Sequence, residues 1–228
     1  MARSSRSNPL ALAVLICLGE RPMHPYEAAT MLRQRHKHES VRLNYGSLYA
    51  VVDSLERRGL IEAQETERPG RLPERTIYRL TDKGTAEIQD WLSELISAPT
   101  KEYPAFVAAL SFLPALPPDT ALALLKERAV SLEVELAAAR GAREYIQKLG
   151  LPRLLWVENE FAMVLKEAEI DYVHRLVEDI TSGRLEGVEQ WRQMHDEGGA
   201  NLMAPSPWQH PLDEEVVGKS GTDVKEIS

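Results

Sequence analysis

Between Asn44 and Leu60 the chain runs NYGSLYAVVDSLERRGL, a segment that carries both its own start and its own stop. Asn44 offers a side-chain oxygen to an unpaired backbone N–H at a helix N-terminus. Leu48, Val51, Val52 and Leu55 follow at i, i+3, i+4 and i+7, which places one apolar stripe against a core. Arg57 and Arg58 suit the C-terminal end of the helix dipole, and Gly59 suits the left-handed residue that closes it. The opposite face carries Tyr45, Gly46, Ser47, Tyr49 and Ala50, then Asp53 and Ser54. Its first two turns hold small residues and hydroxyls and no long acid. Such a face suits a groove lined with phosphates and base edges. It also suits plain solvation, so the flanking segments decide.

Upstream, Pro25 stands where the first position of a helix tolerates it, and Tyr26, Ala29 and Leu32 form that helix's inner stripe. The link from His36 to Leu43 is polar and short, as in a helix-turn-helix. Leu10 to Leu18 is almost wholly apolar and ends at Gly19, as a first helix beneath the other two would. Downstream, extended runs at 61–67 and 76–80 flank the loop RPGRLPER, whose Arg68, Arg71 and Arg75 make it basic. Thr81 then caps a helix bearing Ile88, Trp91, Leu92, Leu95 and Ile96. Three helices, a hairpin and a further helix make a winged helix-turn-helix. In that setting the arginines at the hairpin tip are placed to neutralise phosphates or enter a minor groove.

The formal net charge of −8 is at odds with a polyanion partner until it is divided. Residues 1–97 hold 14 Lys and Arg against 13 Asp and Glu, and residues 98–228 hold 13 against 22. Binding follows the potential within about a Debye length, so the acidic half is expected to face away from DNA. A single cysteine, Cys17, excludes an internal disulfide and fits a reducing cytosol. Arg3 and Arg6 before the apolar run imitate a secretory signal, but Glu20-Arg21-Pro22 follows without a cleavage pattern, and nine apolar residues cannot span a bilayer. A cytoplasmic protein with no membrane partner is expected.

The blocks HPYEAATML, GSLYAVVDSLERRGLI and YRLTDKG together resemble the PadR family of transcriptional regulators. KEYPAFVAALSFLPAL and the long helices after it are similar to its larger subfamily, with an extended C-terminal helical domain; the resemblance spans roughly residues 8 to 185. It implies a homodimeric winged-helix repressor on near-palindromic operator DNA, released by a small effector. It also implies that Gly46, Ser47, Leu48 and Tyr49 enter the major groove. Pro25 stands where the family usually has glycine and suits a rigid helix start. The candidate DNA contacts are Asn44, Tyr45, Gly46, Ser47, Tyr49, Tyr26, Arg68, Arg71 and Arg75.

After Pro114, Pro117 and Pro118, a helix from about Asp119 to Lys148 carries an alternating three-four stripe that includes Leu125, Leu132 and Leu136. Gly150 and Pro152 break it, and a second long helix carries Phe161, Leu165, Tyr172 and Leu176 before Gly183. Two antiparallel helices leave apolar stripes over, and a second copy of the chain is the simplest cover. Those seven residues are therefore the expected dimer interface, an intramolecular hairpin being the alternative. The expected fold class is mainly α, an N-terminal winged helix-turn-helix with a two-stranded wing plus a C-terminal long-helix dimerisation domain. Its parts are the DNA-binding domain at 1–97, a short helix and Pro-rich linker at 98–118, and the two-helix domain at 119–185. A short helix and a disordered acidic tail occupy 186–228. Aromatic clustering points to Tyr103, Phe106, Trp156 and Phe161 for an effector pocket, the ligand being unknown.

No glycine-rich phosphate loop, zinc-spaced Cys/His set or nucleophile elbow occurs, and no enzyme is expected. Glu158, Glu160, Glu167 and Glu169 suit a solvated face. His36, His38 and Glu39 have the chemistry of metal ligands, but residues two apart on a helix point to different faces. No metal and no cofactor are expected. The rival to the DNA reading is a winged-helix module whose exposed helix packs on another protein. The basic loop argues against it, and a salt-insensitive complex would argue for it.

Overall fold

The computed structural model describes residues 8–67 and 75–196 and divides into two compact units, one ending at Glu102 and the other beginning at Tyr103. In the first unit the order is α1 (Pro9–Glu20), α2 (Pro25–Gln34), α3 (Tyr45–Arg57), β1 (Ile61–Glu67), β2 (Arg75–Leu80) and α4 (Asp82–Ser97). Asn44 and Thr81 cap their helices as expected, and Asn8 and His24 likewise each accept a backbone N–H of the helix that follows. Gly59, at φ 68°, supplies the left-handed step after α3.

The core of this unit is α1. Leu10, Val14, Leu15 and Leu18 are buried around its circumference, so it has almost no polar face. Against it lie Ala28, Ala29 and Leu32 of α2, the expected Leu48, Val51, Val52 and Leu55 of α3, and Trp91 of α4. Tyr26 departs from the predicted inner stripe and is exposed. The small pair Ala28–Ala29 takes the inner position, and the Tyr26 ring turns outward. Leu95 and Ile96 are likewise exposed, on a last turn of α4 that runs past the core. Cys17 is buried, and that burial together with nearby Glu20 pushes its thiol up to about 11, so at neutral pH it is a small apolar core residue and no nucleophile.

β1 and β2 pair antiparallel from Ile61↔Leu80 to Glu67↔Arg75, with an irregularity between Ala63 and Glu65. Met23 exchanges both backbone hydrogen bonds with Tyr78, each 3.1 Å, which ties the α1–α2 turn to the base of the wing.

In the second unit α5 (Ala105–Ser111) precedes α6 (Pro118–Lys148), α7 (Val157–Ser182) and α8 (Val188–Asp196). α6 and α7 form an antiparallel hairpin with two clusters along its seam. One joins Ala121, Leu125 and Ala129 to Val173, Ile180, Val188 and Trp191; the other joins Leu136 to Met163 and Ile170. Ion pairs line its edges, including Arg128–Glu169, Arg140–Glu167 and Lys166–Glu135. The acids Glu160, Glu167 and Glu169 thus each pair with an arginine. Trp191 Nε1 donates to the Leu116 carbonyl at 2.8 Å and pins α8 across the start of α6. Trp191→Phe keeps most of the ring and deletes this donor. It is expected to destabilise the unit by about 1 kcal/mol, read as an earlier urea midpoint by circular dichroism at unchanged slope.

Candidate nucleic-acid interface

The outer face of α3 begins at its cap. Asn44 Oδ1 accepts the Gly46 N–H at 2.9 Å, and Ser47 Oγ donates to the Asn44 carbonyl at 2.9 Å. This holds the first turn in one conformation without a carboxylate. Gly46 and Tyr49 face outward, Ser47 and Tyr45 are half-buried, and Leu48 is buried in the core. Leu48 is therefore a correction to the groove-facing set: at position four of the helix it belongs to the inner stripe.

α2 adds to this face. The Tyr26 ring stacks on Tyr45 with centroids 5.7 Å apart, and the Arg33 guanidinium lies 4.6 Å from the Tyr45 centroid. His24, whose Nδ1 accepts the Tyr26 N–H, meets Tyr49 edge-on at 6.4 Å. The outer face of α2 and the start of α3 thus present one surface of three phenols, an imidazole and a guanidinium, with Gly46 adding no side chain to it. Tyr26, Tyr45, Gly46, Ser47 and Tyr49 lie on this surface. His24 and Arg33 join them without having been singled out. The one available signal is that Tyr26 and Arg33 are seven residues apart, two turns along one face of α2.

The far end of α3 has the opposite character. Asp53 and Glu56 lie there beside Tyr78, and burial first, then these two carboxylates, raises the Tyr78 phenol above its ordinary value. Arg58 pairs with Glu87 at 2.7 Å, and Lys83 Nζ donates to the Arg58 carbonyl at 2.6 Å. The N-terminal turns of α3 are therefore free of acid, and its carboxylates gather towards the C-terminal end. In the wing Arg79 pairs with Glu62. Arg68, Arg71 and the Arg75 side chain lie outside the described residues; the backbone of Arg75 closes the ladder opposite Glu67.

Residues 14–90, from α1 to within α4, match the model of the PadR-like family of transcriptional regulators. Over those residues the unit resembles a PadR-like domain. The chain as a whole is similar in fold to Bacillus subtilis PadR in complex with operator DNA, at 19% identity and TM-score 0.60, over 75% of this chain and 98% of that one. Bacillus subtilis PadR in complex with p-coumaric acid gives 17% identity and TM-score 0.60, over 74% and 96%. The PadR-like transcriptional regulator from Bacillus cereus gives 16% and 0.53, over 76% and 99%. At these identities the likeness is one of fold. No curated protein matches the chain. The structural match, at 75% of the chain, is longer than residues 14–90, and among the described residues no helix is long and apolar enough to cross a membrane.

In the second unit, the residues expected at a dimer interface divide. Leu125 and Leu136 are buried in the seam of their own hairpin, with Leu132 and Leu176 half-buried beside them. Phe161, Leu165 and Tyr172 are exposed, and with Val157, Val164 and Ala168 they make one apolar stripe along the outside of α7. The aromatic residues expected around an effector do not converge. Phe106 packs at the start of α6 under the Arg128 guanidinium, 3.8 Å from its centroid. Trp156 is buried at the other end, with Arg143 at 5.7 Å. Arg128 and Arg143 are fifteen residues apart on one helix, roughly 22 Å at 1.5 Å per residue. Tyr103 and Phe161 are largely exposed. Trp156 Nε1 is the one buried side-chain donor without an acceptor among the described residues.

Proposed function

We propose that this protein is a homodimeric transcriptional repressor that reads operator DNA with the N-terminal turns of α3 and is released by a small-molecule effector. The observation that carries the DNA reading is the surface shared by the outer face of α2 and the start of α3. It is capped without a carboxylate, bare of a side chain at Gly46, and rich in hydroxyl and cationic donors from Tyr26, Tyr45, Tyr49 and Arg33. Hydroxyls and guanidinium groups are the donors that phosphate oxygens and purine edges accept. That a protein of the same fold is known bound to operator DNA supports the assignment.

The dimer rests on α7. Its outer stripe of Val157, Phe161, Leu165 and Tyr172 is too long and apolar for a solvated face, and a second copy covers it with the like stripe about a two-fold axis. Two-fold pairing would set two recognition helices about one DNA turn, roughly 34 Å, apart. Leu125, Leu132 and Leu136 then support the interface from within the hairpin. The effector is inferred from the related protein bound to p-coumaric acid; within this chain the unpaired indole N–H of Trp156 is the donor that a ligand acceptor would engage.

The test is fluorescence anisotropy of the full-length protein on its own upstream DNA across a salt series, with light scattering for mass. A dimer is expected, with saturable, sequence-selective and salt-steep binding. Replacing Arg68, Arg71 and Arg75 together by alanine should flatten the log–log salt slope by about 0.9 for each phosphate that is no longer neutralised. An unchanged slope would clear the wing of any role in binding. Salt-insensitive association with a protein in place of DNA would establish the protein-interaction module instead.

A further inference from the structure

The turn between α2 and α3 holds a side-chain cluster that the DNA surface does not use. α2 ends at Gln34, and His36 takes the left-handed step after it, φ 56° and ψ 19°, with its N–H on the Arg33 carbonyl at 2.9 Å. That step is ordinarily given to glycine, because a Cβ there is crowded. His36 is the only non-glycine residue with positive φ among the described residues. Lys37–Glu39 then form one tight 3-10 turn, closed by the Glu39 N–H on the His36 carbonyl and the Ser40 N–H on that of Lys37, each 3.3 Å.

The two bends together undo the divergence that a regular helix would impose on residues two apart. The His36 and His38 ring centroids are 5.8 Å apart, and His36 Nδ1 lies 3.9 Å from Glu39 Oε1. One ligand atom from each of His36, His38 and Glu39 falls within 4.8 Å of the other two. Around an ion with bonds of 2.0–2.1 Å, tetrahedral ligands stand about 3.4 Å apart. All three side chains are exposed, so small rotations close the difference without disturbing packing. Arg35, the residue before His36, is engaged elsewhere by Glu20, with Nη2 on Oε2 at 2.8 Å.

We propose that His36, His38 and Glu39 form a surface site for a borderline divalent transition ion such as Zn2+ or Co2+. Two imidazoles and a carboxylate suit these ions rather than Mg2+ or Ca2+, which take oxygen ligands. Three protein ligands leave the remaining coordination to water. The site is independent of the DNA reading, although an ion there would stiffen the turn that sets α2 against α3.

Calorimetric titration of Zn2+ into the full-length, metal-stripped protein tests it, with Co2+ absorption as a second readout. One saturable equivalent per chain is expected. Outer-shell changes alone typically cost 10–100-fold in metal affinity, so H38Q should weaken binding by at least about tenfold. H36G is the decisive variant, since it removes a ligand while placing glycine where the backbone favours it; the fold should hold and the affinity should fall to a similar extent. H174Q serves as a control and should bind as the parent does. No saturable uptake, or uptake that H36G and H38Q leave unchanged, would overturn the site.

Discussion

Gly84→Ala is expected to destabilise the N-terminal unit by about 3 kcal/mol, at the upper end of what over-packing costs. A Cβ at this position would lie 2.2 Å from the Leu60 carbonyl oxygen, 2.6 Å from Leu80 Cδ1 and 3.1 Å from the Leu60 carbonyl carbon. Two of those three atoms are backbone and cannot swing aside. The junction is crowded because the chain leaving α3 is held directly against the start of α4. Thr81 Oγ1 lies 2.8 Å from the Gly59 carbonyl and 3.0 Å from that of Leu60, while it accepts the Gly84 N–H at 3.0 Å. Lys83 reaches the Arg58 carbonyl, and Arg58 reaches Glu87. The residues TDKG are thus a clamp: a cap, a cation for the last carbonyls of α3, and a glycine that lets the two backbones meet. For a domain of this size each kcal/mol moves the melting midpoint by about 4–8 °C, so calorimetry resolves the change easily. Gly46→Ala is the internal control, since its Cβ would meet only Asn44 Oδ1, at 3.3 Å. Should Gly84→Ala melt like the parent, α4 is free to step away from Leu60 and the clamp has no energetic weight.

The second large effect is on DNA and not on folding. Ser47→Glu is expected to lower operator affinity roughly 100-fold, since like charges juxtaposed across an interface cost several kcal/mol. The helix itself should gain or hold stability. Ser47 is the third residue after the Asn44 cap, where a glutamate completes a capping box and meets the positive end of the helix dipole. The hydrogen bond it replaces, Ser47 Oγ to the Asn44 carbonyl, is local to the first turn. Anisotropy on the operator and a thermal melt, run on the same preparation, separate the two effects. Retained affinity with retained stability would remove the first turn of α3 from the interface. Lost affinity with a lower melting point would instead mark Ser47 as a folding residue.

How much of this was legible before the structure depends on the range of the interaction. The inner stripe of α3, its Asn44 cap, its Gly59 stop and the Thr81 cap of α4 all follow from residue types within four positions of one another, and the structure has them as predicted. Tyr26 was the local failure. Periodicity placed it inward, but the buried positions of α2 are Ala28, Ala29 and Leu32, and Tyr26 stacks outward on Tyr45. His36 and His38 failed for a related reason, because facing directions on a regular helix do not apply after a left-handed step.

By itself, then, the chain determined its elements, their ends, the apolar face of each helix and the family its N-terminal unit resembles. These depend on backbone geometry and on which side chains stand three or four residues apart. Tertiary structure alone decided what shares a surface. It laid Tyr26 on Tyr45, brought Arg33 to the same ring, drove α4 against the end of α3, and divided the stripes of the hairpin into a filled seam and an open outer face. No pattern along one helix encodes those outcomes, because each is set by how closely a second helix can approach, and that distance depends on the volumes of both.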